Sequence, residues 1–151
     1  MTILKFSLTT LPIVPKPRGQ LNKQGKMTHA LNGYGDYRKQ IDKVLRVSGF
    51  RILPNYFAFI YHIKVKPKPG QQPDCSNLIG SFEDAMVKGG YLKDDNWRMI
   101  PNAMFIATES KHLPFSQLDF YQTDSLADFL KCVIIIFGQQ TKIKIRNLLT
   151  N

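Results

Sequence analysis

Five of the eleven carboxylates of this basic chain fall within PDCSNLIGSFEDAMVKGGYLKDD, at Asp74, Glu83, Asp84, Asp94 and Asp95. Aspartates at the two ends of such a segment could hold a hard cation. Mg²⁺ takes oxygen ligands, usually one or two carboxylates completed by water and substrate phosphate. Beside a phosphodiester, such a cation polarises the phosphate, generates hydroxide and stabilises the leaving oxygen. The same letters also spell ordinary structure. Pro-Asp before a helix is common capping, and Asp-Asp after Gly-Gly is common turn chemistry. Composition alone favours that ordinary reading.

Whether the two ends can meet is a question of length. A helix from Ser76 to Lys88 rises about 20 Å at ~1.5 Å per residue. The stretch from Gly89 to Asp95, nearly extended, spans at most about 23–25 Å. If Gly89-Gly90 reverses the chain, Asp95 can just return to the level of Asp74. Asp84 lies about 12 Å along the axis from Ser76, too far to share a first coordination shell with Asp74. It reads as a supporting or surface residue. Asn77, Gly80 or Ser81, Asp84 and Lys88 form a polar helix face that could meet a substrate.

The elements around this segment follow from periodicity. Residues 2–10 alternate, with Leu4, Phe6 and Leu8 to one side, and predict a first strand. LPIVPKPRGQLNKQGKM has no periodicity and predicts a loop. Tyr37, Ile41, Val44 and Leu45 make a helical stripe from a cap at Asp36 to about Val47. NYFAFIYHIKVKPK predicts a long strand, one face of which starts apolar and ends basic at His62, Lys64 and Lys66. His62 fits a partly buried strand histidine better than a catalyst. KPKPGQQP leads to Asp74, where Asp74 or Ser76 caps a helix with the stripe Leu78, Phe82, Ala85 and Met86. Strands are expected within RMIPNAMFIATES and at LDFYQ. SLADFLK predicts a short helix, CVIIIF a buried strand, and TKIKIRN an alternating strand after a Gly138-Gln139-Gln140 turn. Strands interleaved with two or three helices predict a single compact α/β or α+β domain, a small mixed sheet packed by helices.

Charge narrows the partners. The formal net charge is +10, from 21 Lys and Arg against 11 Asp and Glu. Residues 1–73 hold 13 basic and two acidic side chains, whereas residues 74–151 hold eight and nine. A one-sided excess of this kind suits a polyphosphate. Lys16, Arg18, Lys23 and Lys26 have no acidic neighbours in sequence and are candidate phosphate contacts, with Arg38, Lys64, Lys66 and Lys68. Cys75 and Cys132 lack metal-ligand spacing and read as free thiols. No apolar run approaches the roughly 18 residues of a membrane span. MTILKFSLTT is too short and too alternating for a secretory segment, so a cytoplasmic protein is expected.

With those residues in place, the pattern resembles the RusA family of Holliday junction endonucleases, often carried by phages and prophages. The family signature is Asp-x-Asp-Asn-Leu-x-Lys, a helix ending in Asp-Ala-Leu, a glycine-containing turn and then Asp-Asp. Asp74, Asn77, Leu78, Asp84, Ala85, Met86, Gly90, Asp94 and Asp95 stand at the matching spacing. LPIVPKPRG resembles the family's basic, proline-rich opening, and Tyr37-Arg38 its Tyr-Arg helix. The likeness covers roughly residues 3–121, which divides the chain into a RusA-like domain, 1–121, and an extension, 122–151, packed on the same domain as a helix plus strands. The resemblance implies a homodimer that binds four-way DNA junctions and cuts them with Mg²⁺ or Mn²⁺, held by Asp74 and Asp95. Two positions depart from the signature. Ser76 replaces the second aspartate as a weak, neutral ligand, and Gly80 replaces the lysine. Asp94 could supply the missing carboxylate, and Lys88 or Lys93 the missing amine. Three readings follow: a junction resolvase, a RusA-like protein that binds branched or duplex DNA without cutting, and an RNA-binding or scaffold protein.

Overall fold

The structure is a computed structural model. It describes residues 3–15, 19–21, 24, 27–29, 34–66, 74–93 and 102–149. In chain order the elements are β1 (Ile3–Leu8), β2 (Gly19–Leu21), β3 (Met27–His29), α1 (Tyr34–Val47), β4 (Ala58–Val65), α2 (Cys75–Lys88), β5 (Ala103–Glu109), β6 (Gln117–Thr123) and α3 (Leu126–Leu149). Four strands form one mixed sheet in the order β1-β6-β4-β5, in which only β4 and β5 run parallel. The expected α+β domain with a small mixed sheet is therefore what the chain forms.

Alternation along the strands divides the sheet's two faces. Leu8 of β1, Phe59, Tyr61 and Ile63 of β4, and Leu118 and Phe120 of β6 pack against α1 and α2. The expected stripes fill that layer, with Ile41 and Leu45 from α1 and Leu78, Phe82, Ala85 and Met86 from α2 all buried. On the opposite face, Ile60, Ile106 and Tyr121 pack against Cys132 and Ile136 of α3. A parallel pair needs a crossover, and α2 is the crossover from β4 to β5.

α1 and α2 stop in the same way. Gly49 and Gly90 adopt φ of 66° and 78°. The following aromatic then donates its N–H back to the last turn, Phe50 to the Leu45 carbonyl at 3.0 Å and Tyr91 to Met86 at 2.9 Å. These are Schellman caps, where glycine takes the left-handed position without a Cβ penalty. The two capping aromatics meet edge-on, ring centroids 5.2 Å apart, and so tie the C-terminal ends of the helices together.

Several expected elements differ. The predicted loop at 11–27 contains one strand and leads into another, since β2 and β3 pair as a short antiparallel ribbon. α1 begins at Tyr34, which leaves Asp36 in its first turn rather than at its cap. β4 is shorter at both ends than the predicted strand. The largest difference lies at the C-terminal end. CVIIIF and TKIKIRN are not strands, and Gly138-Gln139-Gln140 is not a turn: all lie inside α3. Ser125 opens that helix, accepting the Asp128 N–H and donating its hydroxyl to the Asp128 carboxylate, a reciprocal cap that starts a helix firmly. β6 runs through Thr123, past residue 121, and the chain beyond it packs on the same sheet as helix alone.

Candidate functional site

Asp74 is the N-cap of α2, in extended conformation. Its Oδ1 accepts from the Ser76 N–H at 3.1 Å, the Asn77 N–H at 3.3 Å and the Ser76 hydroxyl at 2.6 Å. Of the two expected capping residues, Asp74 caps, and Ser76 lies within the first turn and reinforces it. The local reason is simple: the first N–H groups of a helix have no partner within it, and a carboxylate one residue before supplies one. Cys75 beside it has its thiol pKa raised, by burial and by the Asp74 charge, so it is a protonated thiol. Both cysteines are free, as expected.

The rest of the polar face of α2 does not converge on Asp74. Ser81 is fully buried and donates to the Leu78 carbonyl, which corrects its place on a substrate-facing surface. Asp84 accepts from the Tyr34 hydroxyl at 3.0 Å, joining α2 to α1. It supports the helix pair, and the distance along the helix still separates it from Asp74. Asn77 is half-buried and Lys88 exposed. Asp94 and Asp95 lie outside the described residues. What is described sets a condition on them. Leu92 is held at the far end of α2, its N–H 3.3 Å from the Met86 carbonyl. Met86 is about 18 Å along the axis from Asp74, and the three residues from Leu92 to Asp95 reach at most about 11 Å. A cation shared by Asp74 and Asp95 therefore requires that stretch to run straight back along the helix, with both side chains extended. Among the described residues, no three His, Cys, Asp or Glu side chains group as they would around a metal ion. Asp74 is a hard oxygen donor of the kind Mg²⁺ takes, and it is one carboxylate where two are wanted.

The candidate phosphate contacts divide. Lys16, Arg18, Lys23, Lys26 and Lys68 lie outside the described residues or their described side chains. The Arg38 guanidinium lies over the Tyr34 ring, 5.2 Å from its centroid. Lys66 donates to the Lys111 carbonyl. Lys64 points to the face of the sheet away from α2, where it pairs with Asp119. It cannot serve a substrate held at Asp74 from that side.

That opposite face carries a second polar constellation, which the sequence reading missed apart from His62 and Lys64. Asp119 of β6 is 3% exposed. It accepts from the Ser7 hydroxyl at 2.6 Å and pairs with Lys64 at 2.8 Å and Lys5 at 3.2 Å. Burial works to raise the Asp119 pKa, but the bonds from Lys64 and Ser7 and the two ammonium charges overcome it, so the carboxyl stays ionised below its ordinary value. His62, its direct cross-strand neighbour, has its pKa lowered by burial in spite of that carboxylate, and Nε2 lies 2.9 Å from the Thr108 hydroxyl. The only sequence signal was a lone carboxylate in the apolar strand LDFYQ. Its partners come from strands far apart in the chain, so spacing could not reveal them.

Compared with models of known protein families the chain matches none, and no curated protein is detectably similar to it in sequence. Among the described residues, no helix is long and apolar enough to cross a membrane.

Proposed function

We propose that the chain acts on branched DNA as a metal-dependent endonuclease of the RusA type. The observation that carries the reading is the placement of Asp74 as the N-cap of α2, in the crossover that follows the C-terminal end of β4. In open sheets with parallel strands, ligands gather in the crevice beyond those strand ends. The motif letters from Asp74 to Gly90 thus fall on α2 and the turn that ends it, within the β4–α2–β5 crossover. Asp74 and Asp95, with Asp94, would hold the Mg²⁺ or Mn²⁺. The cation, when bound, supplies a nucleophilic hydroxide and charge neutralisation at the phosphate. The chain's own part is to fix the Asp74 carboxylate through the first N–H groups of α2 and to draw the duplex arms with its basic N-terminal half. A homodimer would match the two-fold symmetry of a four-way junction.

The test is nicking of a synthetic four-way junction in Mg²⁺ or Mn²⁺, with Asp74→Asn as control. Asparagine caps a helix about as well as aspartate, so this control removes the charge and keeps the fold. Nicks in the parent protein and none in the control support the reading; equal nicking, or none in either, overturns it.

A second reading has its own observation. The Ser76 hydroxyl donates to Asp74 Oδ1 at 2.6 Å, so that this oxygen already accepts three hydrogen bonds, and Gly80 offers no amine. A protein with this site would bind branched DNA and leave it whole. Binding would then weaken steeply with salt as counterions are released, and would not depend on divalent metal. Gain of nicking in Ser76→Asp combined with Gly80→Lys would mark a decayed nuclease site. Equal affinity for RNA hairpins would instead favour an RNA-binding protein.

A further inference from the structure

A surface helix is polar on the side away from its core, and a helix that is apolar all round is normally covered all round. α3 is of the second kind, yet among the described residues it is covered on one side only. Cys132 and Ile136 pack on the sheet, in line with the buried Asp128. On the far side Leu126, Leu130, Ile134 and Phe137 are between 47% and 70% exposed. Their spacing of four, four and three residues sets them within an arc of about 80°, roughly opposite the buried line. Four large apolar side chains, each about half in water, make a stripe on the order of 400 Å², a size that a chain meant to stay alone avoids.

A second observation lies beside the stripe. Gly138 follows Phe137 directly, in the middle of the helix. Glycine is the poorest helix former after proline, and the chain's own fold does not call for one here. A Cβ at Gly138 would meet nothing within 4 Å beyond the local helix backbone, and its φ is not positive. A mid-helix glycine with open space over it suits the close approach of another backbone. Ala127 stands beside the other end of the stripe, so a small residue flanks each end.

We infer that this face pairs with the same face of a second copy of the chain, the two α3 helices running antiparallel about a two-fold axis at the level of residue 132, the middle of the stripe. Leu130 of each copy then meets Ile134 of the other, Phe137 comes to the level of Ala127, and Leu126 to that of Gly138. Large residues fall on small ones at both ends, as a self-complementary contact requires. The stripe repeats at about 3.7 residues per turn, close to a straight helix, so the two lines stay together without supercoiling. Charge agrees. Antiparallel helices set the positive end of each dipole beside the negative end of the other, and Lys142 of one copy comes near the level of Asp124 of the other. Residues 74–151, which include α3, hold eight basic and nine acidic side chains, so the chain's positive excess lies in its other half. A lipid surface is held by helices with Lys and Arg along their polar face, and between Leu126 and Phe137 the only one is Lys131. With the flanking side chains, each copy would bury about 600 Å², roughly 1,200 Å² in all, the lower end for a stable interface. The symmetry of a four-way junction asks for a dimer without naming its surface; the stripe names one, and does not rest on that reading.

The experiment is sedimentation equilibrium of the full chain. The mass should rise from 17.3 kDa to twice that, with half-association between about 1 and 50 µM. Ile134→Glu, at the most exposed of the four positions, should weaken association about a hundredfold or more. Val47→Glu, an equally exposed apolar position on α1, should leave it unchanged. Gly138→Leu adds apolar surface and a better helix former, yet should weaken association about tenfold or more by holding the second backbone away. Cross-linking reads the direction. In a Cys75→Ser background, Leu126→Cys and Phe137→Cys proteins mixed together should be joined by a short bis-maleimide. Neither should join to itself, because like positions lie about 15–18 Å apart along the axis. A monomer at every concentration overturns the inference, as does a dimer that Ile134→Glu leaves intact. Tighter association in Gly138→Leu overturns the close contact, and self-joining of either cysteine protein overturns the antiparallel pairing. A monomer that pellets with phosphatidylserine vesicles, and ceases to in Ile134→Glu, overturns it in favour of a membrane surface. No arm involves DNA or metal, so failure here is separate from failure of the nuclease reading.

Discussion

Phe120 and Asp119 are neighbours in β6 and face opposite ways. The Phe120 ring lies 5.1–5.9 Å from the rings of Phe59, Tyr61, Phe82 and Phe50. The Asp119 carboxylate is held by one hydroxyl and two ammonium groups, beside a cleft. One face is closed by interlocking rings from the sheet, from α2 and from the turn that ends α1. The other is closed by α3 only in part, and α3 turns Leu126, Leu130, Ile134, Ile135 and Phe137 outward. The difference teaches where stability resides: burial concentrates on the aromatic face, and the charged face gives some of it up.

The comparison can be broken most directly at its aromatic side. Phe120→Ala should lower the unfolding free energy by about 3–5 kcal/mol in urea, and Ile136→Ala on the other face by nearer 2. Equal losses would mean that the two faces hold the fold alike. Next in size, Asp119→Ala should cost about 1–2 kcal/mol, less than a fully buried pair because Lys5 and Lys64 can reach water. Lys5→Met, Lys64→Met and Asp119→Leu together should cost nothing or stabilise. A triple variant less stable than Asp119→Ala alone would show the cluster to be structural after all. At the α2 site, Asp74→Ala should cost about 1 kcal/mol as a lost cap and Asp74→Asn only a few tenths. A large loss in Asp74→Asn would mean that the charge itself holds the fold.

The smallest effect is in pH. His62 in the folded protein titrates below its usual 6.5 and Asp119 below its usual 3.8. Each therefore contributes stability that is complete above its usual pKa and is lost as pH falls toward its depressed one. The urea midpoint should fall in two acid steps, the first beginning below about 6.5 and the second below about 3.8. His62→Gln should remove the first and leave the second. A midpoint that rises on acidification through the first window would contradict a buried neutral His62.

The aromatic side was largely legible in the sequence. The stripes of α1 and α2 repeat at helical spacing, and every residue named in them is buried or half-buried. Alternation placed β1 and β4, and Pro73-Asp74 with Gly89-Gly90 bracketed α2 closely. The start of α3 was legible in SLADFLK, but its continuation was not, and the reason is physical. Among its described side chains the buried line is Asp128, Cys132 and Ile136, one residue per turn. The residues between are also apolar, so CVIIIF shows no period and its β-branched run imitates a strand. The Ser125-x-x-Asp128 cap was in the sequence and is the signal that points to a helix there. As for the sites, the α2 cap could be read because it is local. The cleft could not, because Lys5, His62, Thr108 and Asp119 meet only through strand register.

The position of β6 has a consequence for how the protein is made. Its two neighbours, β1 and β4, both precede it in the chain, and β1 has no other strand partner among the described residues. During synthesis β1 and one edge of β4 wait, with hydrogen-bonding groups bare, until residues 117–123 emerge. Unpaired strand edges invite pairing with other chains. A nascent or truncated chain that stops short of Gln117 would thus lack the middle of its sheet, and aggregation rather than a smaller domain is its expected fate.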